Sequence, residues 1–492
     1  MYNLLRKMSR SLKIFSMLGL LIFFSSMNQC ALKFYIPPPL FVTGAPDAIF
    51  RDDFPFRLSE KTPDVSLALP PARKGNSVLL LPAGQMGFEM RYYLMENAQK
   101  SIKIQTYILY SDPVSKKIIN ILLEKQKQGV EVILIADCYT KFIPKDRALY
   151  FKTEKQGLEI LGYEPIYFSG ADENGFLNVD EYNFRFHEKY IVVDDWYGIT
   201  GGSNISQEYA LYENKPRNMW RDQDVLIVGP TASDMARAVE EDEIYFRNKE
   251  MDRPELVNPK WWQEQLGKNK KQVPAKADNA GAGENAQSRI RIEKFDDEDV
   301  MVRLIRTRPR YEEDYVYQAY LHLINTAQKR IILEIAYFVP DEDLLNAILN
   351  ARKRGVAVTL ITNNAWTNDV FEMHPYIRYF YLPMMQAGAE IYEWQGIVKN
   401  KGSLHSKCAI FDDDITVIGS YNIDPRGRYL NSEDVVVIKS EKVASSLKNI
   451  IDQSVMPYTE KITMDKAKFW HNPTTLSGWL KLKFSKLLKD WW

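Results

Sequence analysis

The chain has 492 residues, of which 45% are hydrophobic and 26% are charged. These proportions are those of a soluble globular protein, and they exclude a disordered chain, a collagen and a multi-span membrane protein. Lysine plus arginine and aspartate plus glutamate each total 64, so the net charge is zero and does not favour a nucleic-acid partner. The 3 cysteines are too few for a disulfide framework.

The first 30 residues have the pattern of a secretory leader. They begin with a basic region that contains no acid and has four cations, Arg6, Lys7, Arg10 and Lys13. The apolar run over 14–24 is too short to span about 30 Å of hydrocarbon comfortably, and it fits the apolar core of a signal peptide. Cys30 stands where a lipoprotein leader has its lipidated cysteine, although Gln29 replaces the expected small residue. Lipidation, an uncleaved anchor and ordinary secretion all remain open, and each places the body at or beyond a membrane.

The body of the chain contains an internal repeat. Residues 96–107 resemble residues 325–336, and each segment is followed by an amphipathic helical pattern, a glycine and an apolar strand. Strands that alternate with helices of about 10–15 residues indicate parallel α/β layers. The predicted fold class is therefore α/β, with one α/β unit made twice.

Two further segments flank the second copy. Residues 267–287 lack aromatic residues and are rich in Gly, Ala, Asn and Lys, which predicts an exposed linker. Residues 476–492 predict an amphipathic helix with Trp and Leu on one face and lysines on the other. This pattern favours a membrane interface, and a terminal helix docked on the body is the alternative. The basic leader and tail offset a body with a net negative charge.

The strongest signal is a motif that occurs once in each half. It reads His-x-Lys-x4-Asp followed by Gly-Gly/Ser-x-Asn, and its two copies contain His187, Lys189, Asp194 and Asn204, and His405, Lys407, Asp412 and Asn422. One copy could arise by chance, but two copies at the same spacing in matching halves are specific.

The residue types in the motif indicate phosphoryl chemistry. Side chains alternate along a strand, so His and Lys share one face, and Asp faces the other way to brace the adjoining turn. One neutral imidazole can attack phosphorus while another protonates the leaving oxygen, and Lys and Asn can donate to the non-bridging oxygens. This chemistry needs no metal or other cofactor, and the motif has poor zinc-ligand spacing. The alternative, a hydrogen-bonded core histidine, would leave two buried lysines unexplained.

These motifs resemble those of the phospholipase D superfamily. Within it, residues 220–230 and the Asn-Ile-Asp-Pro-Arg segment over 422–426 are most similar to bacterial cardiolipin synthases. The similarity covers most of residues 85–440. It implies two α/β/α sandwich halves with pseudo-two-fold symmetry that face each other across one shared active site. The best-known bacterial members have paired N-terminal transmembrane spans, whereas this chain begins with the short leader.

The resemblance implies a role for each site residue. His187 would form a covalent phosphohistidine, and His405 would act as general acid and then as base. An acidic residue after each motif would orient the opposite histidine, and the matching positions are Asp222 and Glu433. Asp224 is close enough to Asp222 to be an alternative.

The candidate residues form three sets. The catalytic set is His187, His405, Lys189, Lys407, Asp194, Asp412, Asp222 and Glu433. The substrate-binding set is Asn204, Asn422 and Ser420. Cys30 is the lipidation candidate, and no metal ligand is expected.

The predicted organisation follows from these features. Its parts are a leader over 1–30, an N-terminal half over 31–265, a linker over 266–289, a C-terminal half over 290–460 and a membrane-interface tail over 461–492.

The implied function is phosphatidyl transfer that makes cardiolipin from phosphatidylglycerol and a second phospholipid. A hydrolytic phospholipase D that releases phosphatidic acid is the alternative. A nuclease is disfavoured by the acidic body, and a catalytically dead scaffold is disfavoured because both motifs are intact. The expected partners are a phospholipid substrate and a membrane surface, with no nucleic acid and no obligate protein partner. The expected location is the bacterial cell envelope, membrane-associated and facing the periplasm or exterior.

Overall fold

A computed structural model gives the architecture of the chain. It describes residues 44–82, 84–137, 140–163, 184–210, 219–252, 290–399 and 401–488. The predicted leader with Cys30, the predicted linker and the end of the predicted tail lie outside the described residues.

The strands divide between the two halves of the chain. Those of the N-terminal half are β1 (Arg73–Pro82), β2 (Ser101–Thr106), β3 (Glu131–Asp137), β4 (Leu161–Tyr163), β5 (Arg185–Phe186), β6 (Tyr190–Val193), β7 (Tyr197–Gly201), β8 (Trp220–Arg221) and β9 (Gln223–Val228). Those of the C-terminal half are β10 (Asp297–Thr307), β11 (Arg330–Ile335), β12 (Ala357–Asn363), β13 (Glu390–Trp394), β14 (Ser403–Leu404), β15 (Lys407–Phe411), β16 (Ile415–Gly419), β17 (Asn431–Lys439) and β18 (Thr459–Lys461).

The α-helices are distributed in the same way. The N-terminal half contains α1 (Val65–Ala68), α2 (Gln85–Glu96), α3 (Pro113–Lys127), α4 (Pro144–Lys155), α5 (Gln207–Ala210) and α6 (Pro230–Asp252). The C-terminal half and tail contain α7 (Tyr315–Thr326), α8 (Glu342–Lys353), α9 (His374–Tyr379), α10 (Tyr381–Gln386), α11 (Pro425–Tyr429), α12 (Glu441–Ser454), α13 (Met464–His471) and α14 (Leu476–Leu487). Short 3-10 helices lie at Pro46–Phe50, Thr140–Phe142, Pro309–Tyr311 and Met456–Tyr458.

One mixed sheet runs through both halves. Its order is β18-β13-β12-β11-β15-β16-β17-β10-β1-β9-β7-β6-β2-β3-β4. The antiparallel pair β1–β10 lies at its centre, and corresponding strands follow in the same order on either side of this pair. The predicted α/β class and the duplication are therefore confirmed, and the pseudo-two-fold axis passes between β1 and β10.

Helices cover both faces of the sheet, because the strand side chains alternate between two apolar cores. On one face, strand residues of both halves share a continuous core with residues of α6 and α12, such as Met235 and Leu447. On the other face, each half has its own core, which includes Ile118 of α3 in one half and Ile348 of α8 in the other. The shared core and the central strand pair hold the two halves in one fixed arrangement.

The tail begins with two helices that lie against the C-terminal half. Phe484 and Leu488 belong to the core of that half, and Ser485 Oγ donates a hydrogen bond to the carbonyl oxygen of Glu372. Leu476 and Trp479 remain exposed. Part of the apolar face that the sequence assigned to a membrane is therefore covered by the body. Within the described ranges, no helix has the length and apolar character needed to cross a membrane.

The docking of α14 can be tested with two aromatic side chains of the same helix. We expect Phe484→Ala to lower the free energy of unfolding by about 3 kcal/mol, because the substitution leaves a cavity in the core. Trp479→Ala is the matched control, since its side chain is half exposed and little packing is lost. Chemical denaturation measures both effects, and equal stability of the two variants would contradict the docked position.

Candidate active site

Two short parallel ladders join the halves beside the motif histidines. β5 pairs with the start of β17, and the backbone N–H of His187 continues the ladder by donating to the carbonyl oxygen of Ser432 at 3.0 Å. β14 pairs with β8, and the backbone N–H of His405 donates to the carbonyl oxygen of Arg221 at 2.7 Å. Each histidine therefore enters the site next to the acidic residue of the opposite half.

Each histidine contacts one carboxylate across this boundary. The Nδ1 atom of His187 lies 2.9 Å from both carboxylate oxygens of Glu433, and Nδ1 of His405 lies 2.7 Å from Oδ2 of Asp222. All four side chains are buried. Because a carboxylate accepts the hydrogen on Nδ1, the lone pair of each neutral ring is left on Nε2. The structure thus brings together the two histidines and the two acids that the resemblance paired with them.

The motif lysines occupy equivalent positions beside the histidines. Lys189 Nζ donates to the carbonyl oxygen of His187 at 2.6 Å, and Lys407 Nζ donates to that of His405. Burial lowers the pKa of Lys189 to about 8 and that of Lys407 to about 7. Both lysines therefore hold their protons less firmly than a surface lysine, and an anionic phosphate beside them would stabilise the charged form.

Burial and nearby cations control the protonation of the histidines. Burial lowers the pKa of both rings well below its ordinary value, and the charges of Lys189 and Lys407 lower it further. Arg426 also lowers the pKa of His187. The geometry therefore provides two imidazoles that are neutral at neutral pH and oriented by carboxylates.

The glycine-rich ends of the motifs differ at one position. Ser420, the predicted substrate-binding residue, donates from Oγ to Glu433, the acid that contacts His187. At the equivalent position in the other half, a Cβ on Gly202 would lie 2.1 Å from Oδ1 of Asp222. Glycine is required there because any side chain would displace the carboxylate that orients His405.

The two motif asparagines also differ. The side chain of Asn204 accepts a hydrogen bond from the backbone N–H of Ile108 and donates one to Tyr209 Oη at 2.8 Å. The Oδ1 atom of Asn422 is buried and has no hydrogen-bond partner among the described residues. Asn204 is thus held by the protein on both sides, while Asn422 keeps an unused polar atom.

The motif aspartates lie away from the histidines. Asp194 follows β6 at the end opposite to His187, and its carboxylate accepts from the backbone N–H groups of 99–101. Asp412 follows β15, and its carboxylate accepts from those of 328–330. Both residues have positive φ angles, 53° and 55°. This position is that of turn-bracing residues, as strand alternation predicts. It does not bring Asp194 and Asp412 to the histidines, although both were placed in the predicted catalytic set.

Asp224, the alternative to Asp222, has other partners. Its Oδ2 accepts from Arg91 at 2.9 Å, and its Oδ1 accepts from the backbone N–H of Ser203 at 3.1 Å. It therefore contributes to the packing beneath the motif and is not the carboxylate that contacts His405.

Several residues near the site were not found from the sequence. The rings of Trp220 and Tyr209 lie 4.8 and 5.5 Å from that of His405, whereas Tyr107 lies 5.1 Å from His187. Trp220 begins the stretch 220–230 that carries the family resemblance, but no motif spacing identified Trp220, Tyr209 or Tyr107 as a site residue. Different aromatic side chains therefore surround the two histidines, so the two sides of the site are chemically distinct.

A buried ion network lies under the first motif. Arg306 Nη2 donates to Glu188 at 2.9 Å and to Asp242 at 2.8 Å, and all three side chains are buried. Glu188 lies between His187 and Lys189, so alternation places it on the opposite face of the sheet. In the sequence, Glu188 is recognisable as an acidic residue within an otherwise apolar strand segment. Its partner Arg306 is distant along the chain and carries no signal that links the two.

The fold and the paired motifs define an enzyme of the phospholipase D type. The chain belongs to the family described as "Cardiolipin synthase, PLD-like domain", which matches residues 93–234 and 320–455. The predicted family resemblance is thereby confirmed.

Individual relatives agree with this assignment. The chain is 27% identical over 403 residues to the protein named cardiolipin synthase of Geobacillus kaustophilus, covering 82% of this chain and 69% of the relative. It is 26% identical over 388 residues to cardiolipin synthase A of Pseudomonas aeruginosa, covering 79% and 69%. The solved phosphatidylserine synthase of Haemophilus influenzae superposes with a TM-score of 0.60 at 15% identity, over 84% of this chain and 95% of that one. This last similarity concerns the fold.

The lowered lysine pKa values predict an alkaline limit to substrate binding. A lysine that binds phosphate must be protonated, so the affinity for an uncleavable phosphodiester analogue, which needs no proton from His405, should fall as the pH rises through about 7 to 8, where Lys407 and Lys189 lose their protons. In Lys407→Arg the alkaline fall of the profile should begin at a higher pH, because arginine stays charged. This shift is expected even if the highest value that the variant reaches is below that of the wild type. A wild-type profile that stays flat to about pH 10, the ordinary lysine value, would contradict the lowered pKa values.

The close approach of Gly202 to Asp222 predicts a strong effect of one methyl group. Gly202→Ala should lower kcat by about tenfold or more, because the displaced carboxylate no longer orients His405. Circular dichroism and thermal melting show whether the fold is retained. Ser420→Ala is the control at the equivalent position, where a Cβ is already present, and we expect it to be the less damaging substitution. If Gly202→Ala is as active as the wild type, a side chain at position 202 does not displace the Asp222 carboxylate.

Proposed function

We propose that the protein is a phosphatidyltransferase that passes a phosphatidyl group through a phosphohistidine on His187. The observation that carries the proposal is the pair of cross-half contacts, His187 with Glu433 and His405 with Asp222. This arrangement supplies one imidazole to attack and one to transfer a proton. The substrate is a phospholipid, in agreement with the names of the curated relatives.

The first step forms a covalent intermediate. Nε2 of His187 attacks the phosphorus of the donor phospholipid while the bond from phosphorus to the headgroup oxygen breaks. His405 gives the departing oxygen its proton and becomes neutral. The anionic phosphodiester favours the protonated form of His405 that this step needs, since it offsets the loss of solvation. Lys189 and Lys407 stabilise the charge on the non-bridging oxygens.

The second step releases the product. Neutral His405 takes the proton of a hydroxyl group of phosphatidylglycerol, whose oxygen attacks the phosphorus as the bond to His187 breaks. The product is cardiolipin, and both histidines return to their starting states. Burial of both imidazoles limits the access of water, which supports transfer to an alcohol over hydrolysis.

The assignment of the nucleophile rests on the unequal surroundings of the two histidines. Arg426 adds positive charge on the side of His187 and disfavours its protonation, which suits a ring that must attack with its lone pair. His405 lies among the rings of Trp220 and Tyr209, whereas His187 has the single ring of Tyr107, and the π-electrons of such rings favour a nearby cation. This environment suits the ring that carries the proton.

The reaction can be tested by mass spectrometry of products from vesicles that contain phosphatidylethanolamine and phosphatidylglycerol. We expect cardiolipin to form, because an alcohol accepts the phosphatidyl group. Phosphatidic acid as the sole product would instead identify a hydrolase and would overturn the proposed transfer.

The intermediate can be tested with His187→Asn. We expect complete loss of turnover and of acid-labile phosphoenzyme labelling, because asparagine offers no nucleophilic nitrogen. His471→Asn is the control, since this histidine stacks on Tyr379 outside the motifs and should leave both readouts unchanged. Labelling that persists in His187→Asn would place the covalent bond on another residue.

A further inference from the structure

Four large apolar side chains are exposed on two neighbouring loops of the C-terminal half. Trp366 and Phe371 follow β12, and their exposed fractions are 76% and 40%. Ile397 and Val398 follow β13, with exposed fractions of 41% and 38%. We call these four residues the apolar rim. Single exposed apolar residues are ordinary, but a group of them beside a functional site marks an interaction surface.

The sheet places the apolar rim at the same edge as the second motif. β12 and β13 run parallel to β11, so their carboxyl ends lie at one edge. β15 is antiparallel to β11 and begins at this edge, where Lys407 pairs with Ile335. The loops that carry the apolar rim therefore emerge next to His405 and Lys407.

Hydrogen bonds connect the two loops to each other and to the site. The backbone N–H of Trp366 donates to Asn364 Oδ1 at 2.6 Å, and Asn364 Nδ2 donates to Gln395 Oε1 at 3.0 Å. Tyr337 Oη donates to Asp369 in the first loop, and the Tyr337 ring lies 6.4 Å from that of His405. The position of the apolar rim is thus fixed relative to the reacting groups.

The chemistry of the apolar rim fits a lipid surface. Tryptophan, phenylalanine and branched aliphatic side chains are those that enter the boundary between headgroups and acyl chains, to a depth of about 5–10 Å. Lys399 and Lys401 lie in the loop after β13, directly after Ile397 and Val398, and Lys399 is exposed. The loop after β12 contains two acids, Asp369, which accepts from Tyr337, and Glu372. Positive charge beside inserted apolar groups favours a bilayer that contains anionic phospholipid.

We propose that the apolar rim inserts into the surface of an anionic phospholipid bilayer and brings the entrance of the site to the level of the headgroups. The choice of a lipid partner rests on the proposed function, because a phospholipid held in a bilayer presents its phosphodiester at that level. Insertion beside His405 lets the phosphate enter the site without removal of the acyl chains from the membrane.

The test compares a rim variant with a matched control. The rim variant carries Trp366→Ser, Phe371→Ser, Ile397→Ser and Val398→Ser. The control is Trp196→Ser, because Trp196 has an exposed fraction of 46% in the turn between β6 and β7, at the edge of the sheet away from His187. Sedimentation with phosphatidylglycerol vesicles measures binding, and turnover is measured on these vesicles and on a short-chain phosphatidylglycerol dissolved as monomers.

We expect the rim variant of the full chain to bind vesicles at least about tenfold more weakly than the wild type, which is equivalent to about 1.4 kcal/mol. Its turnover on vesicles should fall in parallel, while turnover on the monomeric substrate stays near that of the wild type. The Trp196→Ser protein should match the wild type in every assay. Retained activity on monomers also shows that the rim variant is folded.

Two results would overturn the proposal. Vesicle binding that is unchanged in the rim variant would leave the apolar rim to another partner, such as a protein. Equal loss of turnover on vesicles and on monomers would give these residues a structural role. If the wild-type protein turns over neither substrate, the proposed function fails, and the comparison of vesicle binding still decides the role of the apolar rim.

Discussion

The structure depends on short strands that pair across the boundary between its two halves. The segment before each motif histidine pairs in parallel with a strand of the opposite half, which is β17 with Glu433 in one case and β8, directly before Asp222, in the other. These ladders continue to the histidines through the backbone hydrogen bonds from His187 to Ser432 and from His405 to Arg221. Because backbone hydrogen bonds set the register, each imidazole meets its carboxylate without relying on long, flexible side chains. Neither half supplies both a motif histidine and the acid that contacts it, so the site exists only when both halves are assembled.

This assembly permits a concentration of charge that would be costly in an isolated half. The imidazoles, the ammonium groups of Lys189 and Lys407, and the carboxylates of Asp222 and Glu433 are all buried. Burial disfavours charge on each group, so the acids have raised pKa values and the lysines lowered ones. The mutual attraction of the lysines and the carboxylates offsets part of this cost. A site of this kind holds its polar groups in place before the substrate binds.

The duplication did not produce two equivalent sides. Ser420 supports Glu433, whereas its counterpart Gly202 must lack a side chain to make room for Asp222. Arg426 is near His187, and Trp220 and Tyr209 surround His405. A symmetric scaffold with unequal walls suits a reaction in which one imidazole attacks and the other moves a proton. The apolar rim extends this inequality to the surface, since it lies beside His405.

The α/β class, the duplication and the two pairs of histidine and lysine could be predicted from the sequence alone, because these features follow from local periodicity and from spacing that occurs twice. Strand alternation also predicted that Asp194 and Asp412 brace turns, although the predicted catalytic set included both. The resemblance to a family supplied the acids Asp222 and Glu433, but it took the folded structure to show that they, and not Asp224, contact the histidines. The folded structure likewise decided the contact of Ser420 with Glu433, the pairing of Arg306 with Glu188 and the burial of Phe484 in the tail helix. Each of these depends on contacts between residues whose separation along the chain carries no periodic signal, and such contacts are set only when the sheet and its cores have formed.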